Sequence, residues 1–438
     1  MADADTRLLK DPDIWTYSPV LLKPDGGRTV LRPFSPEYPA PYSAAYGSRQ
    51  RAIVERVMGI DDTLATLGLR LMVDRLDDRH RDIETILAQR YDALGDAVPP
   101  RASIGSARAL LIGGFFSEEY SYEAAALFNP SIVRHWDQSA LPDGAIRFIM
   151  SLRGIGEGHV SSVTFRTGIW HGDGTVVIDT PSGFSTAPTI DPLEGGGGGA
   201  LRLTFDRALD LSEAVLFPMA PSQKQGIEDL RLVQFVDDDG STCYRGTYTA
   251  FSGADIRQEV LHTADFSTFT MRPLEGRIVA NKGMALFPRR VNGRYAMLGR
   301  QDNESIWLML SDDPNRWDEA VRIIQPLYAS EFVQMGNCGS PQEVDEGWLV
   351  FTHGVGLVRN YTIGAALLDR DDPTKVLARS TVPLLRPMEN ARAGYVPNVV
   401  YSCGSLRDGR RILLPYGVAD NFTAFASTTV DQILSCMA

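Results

Sequence analysis

The chain has 438 residues, of which 44% are hydrophobic and 22% charged, and its formal net charge is −12. The composition is typical of a folded globular protein, and the acidic balance excludes a nucleic-acid partner, because a polyanion needs a basic face. No segment reaches the roughly 20 apolar residues of a membrane span, and the first residues lack the apolar core of a signal peptide. We therefore expect a cytoplasmic protein with no membrane partner.

The first 120 residues predict an N-terminal arm followed by a helical extension. Residues 36–47, rich in Pro, Tyr, Ser and Ala, predict a linker or wrapped arm. Helical periodicity begins at Arg49. The predicted helices are one with a stripe at Leu64, Leu67, Leu71 and Leu76, one around 81–94 and one around 107–116. We expect this extension either to cover the mouth of a site or to form an oligomer contact.

From Asn129 onward, a strand-rich unit of about 50–60 residues is repeated. The five units open at Asn129, Glu228, Asn281, Gly339 and Val396. Their second strands are predicted at 147–153, 244–251, 294–300, 348–353 and 411–416, and their third strands at 160–166, 256–261, 305–310, 361–368 and 422–427. This pattern predicts an all-β fold, a five-bladed β-propeller over residues 121–438 that follows an N-terminal extension over 1–120. The last unit lacks a fourth strand, and residues 29–34 are a candidate to supply it.

The four cysteines, Cys243, Cys338, Cys403 and Cys436, show no metal-binding or redox spacing. They are predicted to be free, which fits a reducing compartment. No histidines and carboxylates have the spacing of metal ligands, and no Gly-x-Ser-x-Gly motif indicates a serine hydrolase. We therefore expect no metal and no organic cofactor.

The segment from Gly226 to Arg231 contains two adjacent carboxylates and an arginine at the start of a strand. On a regular strand Glu228 and Asp229 point to opposite faces, so only one faces a central pocket unless the backbone turns there. Arg231 falls on the same face as Asp229. A plain ion pair at the strand entry is the alternative interpretation.

Every unit has a polar group at a corresponding inner position. These groups are Arg153, Asp229 with Arg231, Lys282 with Arg300 and Asp302, His353, and Tyr416 with Asp420. Several cations beside a few carboxylates indicate a site for an anion and a polyhydroxylated ligand. For His353 alone, a buried core histidine is the usual alternative.

The order of several motifs resembles glycoside hydrolase family 130, the five-bladed propeller enzymes that act on β-mannosides. The matching stretches are Leu127-Phe-Asn-Pro-Ser-Ile-Val, Gly226-Ile-Glu-Asp-Leu-Arg, Asn281-Lys-Gly-Met-Ala-Leu-Phe-Pro, Ile306-Trp-Leu-Met-Leu-Ser-Asp-Asp, Glu346-Gly-Trp-Leu-Val-Phe-Thr-His-Gly, Ile363-Gly-Ala-Ala-Leu-Leu-Asp, Val396-Pro-Asn-Val-Val and Tyr416-Gly-Val-Ala-Asp. They cover nearly all of 125–427. The helical N-terminal part resembles the extended members of the family.

The resemblance implies an inverting phosphorylase, in which inorganic phosphate is the co-substrate and mannose 1-phosphate is released. It implies Asp229 as the acid, acting through a sugar hydroxyl, and Arg231, Lys282 and His353 as phosphate ligands, to which we add Arg166. We expect the sugar to be bound by Asn129, Arg153, Glu228, Arg300, Asp302, Tyr416 and Asp420. The chain departs from the family pattern at Gly283, where Asp is usual, at Thr352, where Tyr is usual, and at Leu230, where most members have Pro.

Phosphorolysis of a β-mannoside is the predicted activity, and two alternatives stay open. The family also contains inverting β-mannosidases, which use water and need a second carboxylate. Glu157, Glu228 and Glu275 are candidates for that carboxylate. A propeller that binds a glycan without cleaving it is the other alternative. A homo-oligomer formed through the N-terminal helices is a further expectation.

Overall fold

The computed structural model describes residues 12–40, 42–193, 199–388 and 394–438. These residues form two compact units. The first contains the described residues up to Asp25 together with 123–181 and 188–438, and the second contains 26–122 and 182–187. The predicted N-terminal segment 1–120 is therefore divided between the two units.

The described residues form strands throughout the first unit and one strand pair in the second. The strands are β1 (Thr16–Leu22), β2 (Thr29–Pro33), β3 (Ser117–Ser121), β4 (Ala126–Arg134), β5 (Ile146–Ile155), β6 (Ser161–Trp170), β7 (Val176–Ile178), β8 (Thr189–Pro192), β9 (Leu201–Thr204), β10 (Val215–Leu216), β11 (Gly226–Val236), β12 (Thr242–Phe251), β13 (Ile256–Thr263), β14 (Thr268–Pro273), β15 (Ala285–Leu286), β16 (Tyr295–Gly299), β17 (Ile306–Ser311), β18 (Glu319–Ile324), β19 (Gln334–Asn337), β20 (Gln342–Val344), β21 (Gly347–Val355), β22 (Tyr361–Leu368), β23 (Val376–Arg379), β24 (Val400–Tyr401), β25 (Leu406–Asp408), β26 (Arg411–Val418) and β27 (Phe422–Thr429).

The α-helices lie mainly in the second unit. They are α1 (Tyr42–Tyr46), α2 (Arg49–Met58), α3 (Asp62–Leu76), α4 (Ile83–Asp92), α5 (Ser106–Phe115) and, at the end of the first unit, α6 (Val430–Leu434). Within the described ranges, no helix is both long and apolar enough to cross a bilayer. All four cysteines are free, as predicted, and Cys338 and Cys403 are buried.

Five antiparallel strand groups make up most of the first unit. In chain order they are β4–β5–β6–β7, β11–β12–β13–β14, β15–β16–β17–β18, β19–β21–β22–β23 and β24–β26–β27–β1. The first two groups belong to one 11-stranded sheet, because β6 and β11 form a parallel bridge between Ser161 and Gly226, and β9 and β8 extend this sheet beyond β14. The predicted second and third strands of each repeat are confirmed. The second and third strands of each group are consecutive and antiparallel.

Apolar clusters connect successive groups. One cluster packs the first group against the second, and others join the second to the third, the third to the fourth and the fourth to the fifth. A further cluster packs Leu413 and Phe425 of the fifth group against Phe148 and Met150 of the first. Because clusters cover both faces of these sheets, strands such as β21 are buried along their whole length.

The fourth strand of the last group is β1, so the prediction that residues 29–34 fill this place is wrong. Thr16 pairs with Ser427 and Leu22 with Thr423, whereas β2 pairs with β3 in the second unit. Pro19 lies inside β1 at a register shift, where an edge strand tolerates a missing N–H. That proline weakens the strand signal in the sequence.

The second unit packs its helices around α5. Val54, Tyr91 and Ile112 belong to one of its clusters and Leu87 and Leu110 to another. The predicted helices at Leu64–Leu76, 81–94 and 107–116 are present as α3, α4 and α5. One expectation is corrected, because residues 42–46 of the predicted linker form α1. The stripe of Leu64, Leu67 and Leu71 is exposed, and α3 packs through Leu69, Met72 and Val73.

Candidate active site

A cavity of 520 Å³ opens where the first strands of the five groups begin. Its lining comes from all five groups: Phe128, Asn129, Arg153, Ile155, His159, Asp229, Lys282, Arg300, Asn303, Gln334, His353, Arg359, Tyr361, Tyr395, Val396, Val399, Tyr401 and Asp420. A smaller recess of 10 Å³ shares five of these residues and adds Arg231, Gly283, Gly336 and Asn337. All of these residues belong to the first unit.

The backbone turns at Asp229, as the strand-entry motif requires if both of its carboxylates are to be used. Asp229 has a left-handed φ of 53°, and the pairing of β11 with β12 shifts register between Glu228 and Arg231. Such a bulge re-aims side chains and locally breaks the strict alternation of a strand. Glu228 and Asp229 consequently bond to the same arginine.

Arg153 holds the two carboxylates. Its Nη2 lies 2.7 Å from Glu228 Oε1 and its Nη1 lies 3.3 Å from Asp229 Oδ1. Asn129 donates its Nδ2–H to the same Asp229 oxygen at 2.7 Å, and Lys282 Nζ lies 3.7 Å from Glu228 Oε2. Burial opposes ionisation of Asp229, but Arg153, Lys282, the Asn129 bond and Arg231 together hold its pKa below the ordinary value. Asp229 is therefore ionised at neutral pH.

Asp420 also lines the cavity, but its pKa is shifted in the direction opposite to that of Asp229. Burial, followed by the negative charge of Asp229, raises its pKa to about 6, and Arg153, Lys282 and Arg359 only partly offset this. The cavity therefore contains one carboxylate that stays ionised and one that binds a proton at mildly acidic pH. Two carboxyl groups whose pKa values are displaced in opposite directions are typical of acid–base sites.

Two buried guanidinium groups in the cavity and recess contact no carboxylate of any described residue. Arg231 donates Nη1–H to the backbone oxygen of Asn337 at 2.9 Å and Nη2–H to the hydroxyl of Tyr401. Arg300 donates to His353, and its Nε is buried with no hydrogen-bond partner. Burial lowers the pKa of Arg300, and an uncompensated buried charge costs several kcal/mol. Burial also opposes the charge of Arg231, but nearby groups that include Tyr401, Cys403 and Asp229 outweigh it and raise the pKa of Arg231.

His353 is neutral rather than cationic. Its Nδ1 lies 3.2 Å from the backbone oxygen of Asn337, which only accepts, so Nδ1 carries the proton. Its Nε2 accepts from Arg300 at 3.3 Å. Burial, then Arg300 and Arg231, hold the pKa of His353 well below its ordinary value. Gly336 faces the ring so closely that a Cβ there would lie 2.5 Å from His353 Cε1.

The structure brings most of the predicted site residues together. Asn129, Arg153, Asp229, Lys282, Arg300, His353 and Asp420 line the cavity, Arg231 lines the recess and Glu228 bonds to Arg153 and Lys282.

Three predicted site residues lie elsewhere. Arg166 is bound 2.6 Å from the buried carboxylate of Glu123. Asp302 accepts the backbone N–H groups of Glu304 and Ser305 in a turn. Tyr416 packs in the apolar cluster between the fourth and fifth groups. None of the three lines the cavity, so Arg166 is not placed to bind phosphate, and Asp302 and Tyr416 are not placed to bind a sugar there.

Sequence reasoning missed Asn337 and Tyr401, which both bond to Arg231. The fourth repeat was predicted to open at Gly339, but its first strand is β19, which ends at Asn337. Tyr401 is the last residue of the predicted opening strand of the fifth repeat, so the sequence pattern could have identified it as a site residue.

Glu157 and Glu275, two candidates for a second carboxylate, are exposed and line neither the cavity nor the recess. In the described part of the chain, no group of three or more His, Cys, Asp or Glu side chains could hold a metal.

A family model described as beta-1,4-mannooligosaccharide phosphorylase matches residues 208–438. Among curated proteins, the chain is 32% identical over 229 residues to a beta-1,2-mannobiose phosphorylase of Listeria innocua, an alignment covering 50% of this chain and 62% of that protein. It is 35% identical over 189 residues to a beta-1,4-mannooligosaccharide phosphorylase of Ruminococcus albus, covering 40% and 56%. The chain thus spans somewhat less than two thirds of these two relatives.

The fold is also similar to a solved structure. The beta-1,2-mannobiose phosphorylase of Listeria innocua, in complex with beta-1,2-mannobiose, superposes with a TM-score of 0.52 at 21% identity, over 72% of this chain and 92% of that one. This likeness concerns the fold. Because the family model covers more than half of the chain, and because Asp229, Lys282 and His353 of the motifs that indicated the family line the cavity while Arg231 lines the recess, the chain belongs to glycoside hydrolase family 130.

Proposed function

We propose that this protein cleaves β-mannosides by phosphorolysis with inversion. The observation that carries the proposal is the pair of buried guanidinium groups, Arg231 and Arg300, which contact no carboxylate of a described residue. Phosphate supplies the missing negative charge and bonds strongly to arginine. Lys282 at the same recess adds a third cation. The two relatives described above are named as phosphorylases of β-linked mannosides, which supports the choice of substrate.

In the proposed step, a phosphate oxygen attacks the anomeric carbon from the face opposite the glycosidic oxygen. The bond between that carbon and the glycosidic oxygen breaks, the leaving oxygen receives a proton, and α-mannose 1-phosphate is released with the shortened sugar. No carboxylate nucleophile is needed, since phosphate brings its own charge. One acid and a cationic site for the anion are sufficient.

Asp229 is our proposed acid, acting through a sugar hydroxyl, although it is ionised at neutral pH. Lys282 and Arg231 both contribute to its low pKa. A phosphate dianion bound beside these cations offsets their charge, and a nearby anion disfavours ionisation of a carboxylate. The pKa of Asp229 therefore rises when phosphate binds, which couples protonation of the acid to the presence of the nucleophile.

The arrangement of the five strand groups supports a five-bladed β-propeller. Each group packs on the next through an apolar cluster, and a cluster also connects the fifth group to the first. Five sheets arranged around an axis bring the starts of their inner strands to one place. Such an architecture accounts for the convergence of Asn129, Asp229 and His353 on one cavity.

Hydrolysis is the second candidate, and the two cavity carboxylates favour it. An inverting hydrolase needs a base for water and an acid for the leaving group, about 6.5–9.5 Å apart. Asp229, which stays ionised, suits the first role, and Asp420, with a pKa of about 6, suits the second. This candidate leaves the two unpaired guanidinium groups without a function.

Product analysis separates the candidates. The protein is incubated with β-1,2- and β-1,4-mannobiose, with and without phosphate, and the products are resolved by anion-exchange chromatography. We expect cleavage only with phosphate and the release of mannose 1-phosphate. Free mannose formed at full rate without phosphate would assign hydrolysis. Binding without cleavage under both conditions would leave a glycan-binding protein.

Asp229→Asn tests the acid. Loss of a general acid lowers turnover by about 10²–10⁴-fold, and Asn keeps the shape and the Asn129 contact. Asp302→Asn is the matched control, because Asp302 bonds to a turn and does not line the cavity, so its turnover should stay near normal. Steady-state rates with β-mannobiose and phosphate, together with circular dichroism, measure both variants. Near-normal turnover of Asp229→Asn would make this residue an ion-pair partner only.

A further inference from the structure

A second cleft, of 270 Å³, lies in the first unit and shares no lining residue with the active-site cavity. It is formed by the loops that follow β4, β9 and β13. Asn129 of β4 lies in the cavity, whereas Arg134 ends that strand just before the cleft. Five residues of strand span roughly 17 Å. The two sites therefore lie at opposite ends of β4. We call the second site the Trp136 cleft.

Trp136 gives this cleft an aromatic wall. Its side chain is 51% exposed, although its ring is stacked on His135 with 4.0 Å between centroids and lies 5.9 Å from the ring of buried Phe266. All six tryptophans lie in the described ranges, and among them Trp136 alone is exposed. Leu209, largely exposed, lines the same cleft. An indole that is held in place yet left open offers a rigid flat surface.

Nitrogen donors border this surface. The backbone N–H of Asp137 donates to Nδ1 of His135 at 2.9 Å, so the neutral ring carries its proton on Nε2, which has no hydrogen-bond partner within the described ranges. Arg147 bonds to Asp179 through Nη2 at 3.2 Å, while its Nε is buried without a partner. The side chain of Arg147 lines the cleft and is 38% exposed, so its guanidinium group remains accessible to a ligand that supplies an acceptor.

Carboxylate acceptors lie on the other loops. Asp265 uses Oδ1 for the backbone N–H groups of Ser267 and Thr268 at 2.9 and 3.1 Å. Asp210 uses Oδ1 for Ser212 at 2.8 Å. Both residues are exposed and line the cleft, so each carboxylate remains accessible to a ligand. Since Asp179 already balances Arg147, these two carboxylates also make the cleft unfavourable for phosphate and other anions.

The geometry points to a binding site for a neutral sugar ring. A pyranose has an apolar C–H face that stacks on an aromatic ring, and hydroxyl groups that donate and accept around its edge. The Trp136 cleft offers the matching surface: an indole, two nitrogen donors and two carboxylate acceptors. A site separate from the cavity would retain a saccharide chain while another part of it reacts. The inference rests on the cleft alone and does not depend on phosphorolysis.

The test uses β-1,4-mannotriose as the probe and the full-length Asp229→Asn protein as background, so that cleavage does not disturb the titration. Binding is followed by calorimetry and by tryptophan fluorescence in phosphate-free buffer. We expect two binding events and a change in the fluorescence of the exposed indole. Trp136→Ala should weaken one event by about tenfold or more and abolish the fluorescence change.

Trp307→Phe, a half-buried tryptophan outside the cleft, is the matched control and should keep both events. Leu209→Ser, at a largely exposed position, should weaken the same event as Trp136→Ala without affecting folding. In the otherwise unchanged protein, Trp136→Ala should leave turnover of β-mannobiose unaltered. A single binding event in the background protein, or unchanged binding and fluorescence in Trp136→Ala, would overturn the inference, whatever reaction the cavity catalyses.

Discussion

One left-handed residue decides which side chains reach the cavity. With φ at 53°, Asp229 breaks the alternation of β11, so that Glu228 and Asp229 both bond to Arg153. Asn129 has a similar φ of 49° at a register shift in β4 and bonds to Asp229. Asn and Asp adopt this conformation more readily than other residues that have a Cβ. The same residues therefore supply both the bend and the polar groups.

Gly283 leaves Arg231 without a carboxylate, and restoring one tests the anion site. A Cβ at Gly283 would lie 3.7 Å from Arg231 Nη2. We expect Gly283→Asp to raise the KM for phosphate by about tenfold, because a charge pair at this distance is worth about 1–4 kcal/mol. The KM for the mannoside should change little.

Gly283→Asn is the control for this experiment. Both substitutions place a side chain at φ +86° and share the same backbone cost, so only the charge differs. Equal phosphate KM values for the two variants would show that Arg231 does not bind the nucleophile.

The raised pKa of Asp420 predicts a pH-dependent stability. Since the folded state holds the proton more tightly than the ordinary pKa of 3.8, the stabilising contribution is complete below about pH 4 and is lost as the pH rises through about 6. Asn mimics the protonated form. Asp420→Asn should therefore raise the free energy of unfolding at pH 8 by up to about 3 kcal/mol and leave it nearly unchanged at pH 4.

Thermal unfolding between pH 4 and 8 measures this effect. Asp302→Asn provides a control of opposite sign, because burial of Asp302 is outweighed by bonds from Ser305 and Glu304, which lower its pKa. Its contribution is present at neutral pH and lost in acid, so the variant should be less stable at pH 8. A pH-independent difference between wild type and Asp420→Asn would contradict the assignment.

At the scale of elements, β1 joins the start of the chain to the last strand group. Trp15, immediately before β1, donates its indole N–H to the backbone oxygen of Leu384 at 2.7 Å and packs in the cluster between the fourth and fifth groups. The strand itself is only partly buried. The tryptophan therefore provides most of the apolar attachment of this segment.

Trp15→Ala should destabilise the first unit by about 3–5 kcal/mol, the usual cost of truncating a large buried aromatic residue. Tyr17→Ala in the same strand should cost less than about 1 kcal/mol, since Tyr17 is 42% exposed and Trp15 only 7%. Denaturant unfolding followed by circular dichroism compares the two. Equal shifts of the unfolding midpoint in the two variants would show that β1 is held by backbone pairing alone.

The periodic parts of the fold could be predicted from sequence because periodicity is a local property. The second and third strands of every repeat and the helices α3, α4 and α5 follow from apolar spacing. The choice between Thr16–Leu22 and Thr29–Pro33 depends on pairing with a strand about 400 residues later, which no local pattern encodes. The short first strands, such as β24, have too few residues for a pattern.

The composition of the site could be predicted, but not its details. Polar residues at corresponding inner positions of the repeats identified Asp229, Lys282 and Arg300. The prediction that Arg166 binds phosphate is wrong because its buried ion-pair partner, Glu123, is distant in sequence. The neutral state of His353 depends on the positions of Asn337 and Arg300 around the ring, which follow from the packing of different strand groups.

At the scale of the whole molecule, the stripe of α3 is a row of apolar side chains that the described residues leave exposed. Leu64, Leu67 and Leu71 are 60%, 50% and 52% exposed and repeat at helical spacing. Such a stripe is typical of a helix that packs on another helix. We propose that two copies of the chain associate through this face.

Leu67→Glu should then weaken self-association by more than about tenfold, because a charge replaces a buried leucine worth about 1.5–3 kcal/mol. Light scattering over a range of concentrations measures the mass. Leu327→Glu, at an isolated exposed leucine of the first unit, should leave the mass unchanged. A wild-type protein that stays monomeric at all concentrations would contradict this proposal.

The pairing of β1 with β27 also determines when β1 can pair during biosynthesis. Leu22 leaves the ribosome about 400 residues before its partner strand begins at Phe422. At 5–20 residues per second, the nascent segment waits roughly 20–80 s with unsatisfied backbone groups. Over that interval it is open to chaperones, to proteases and to strands of neighbouring nascent chains. Pro19 lies within β1, and a proline on an unpaired edge discourages wrong partners.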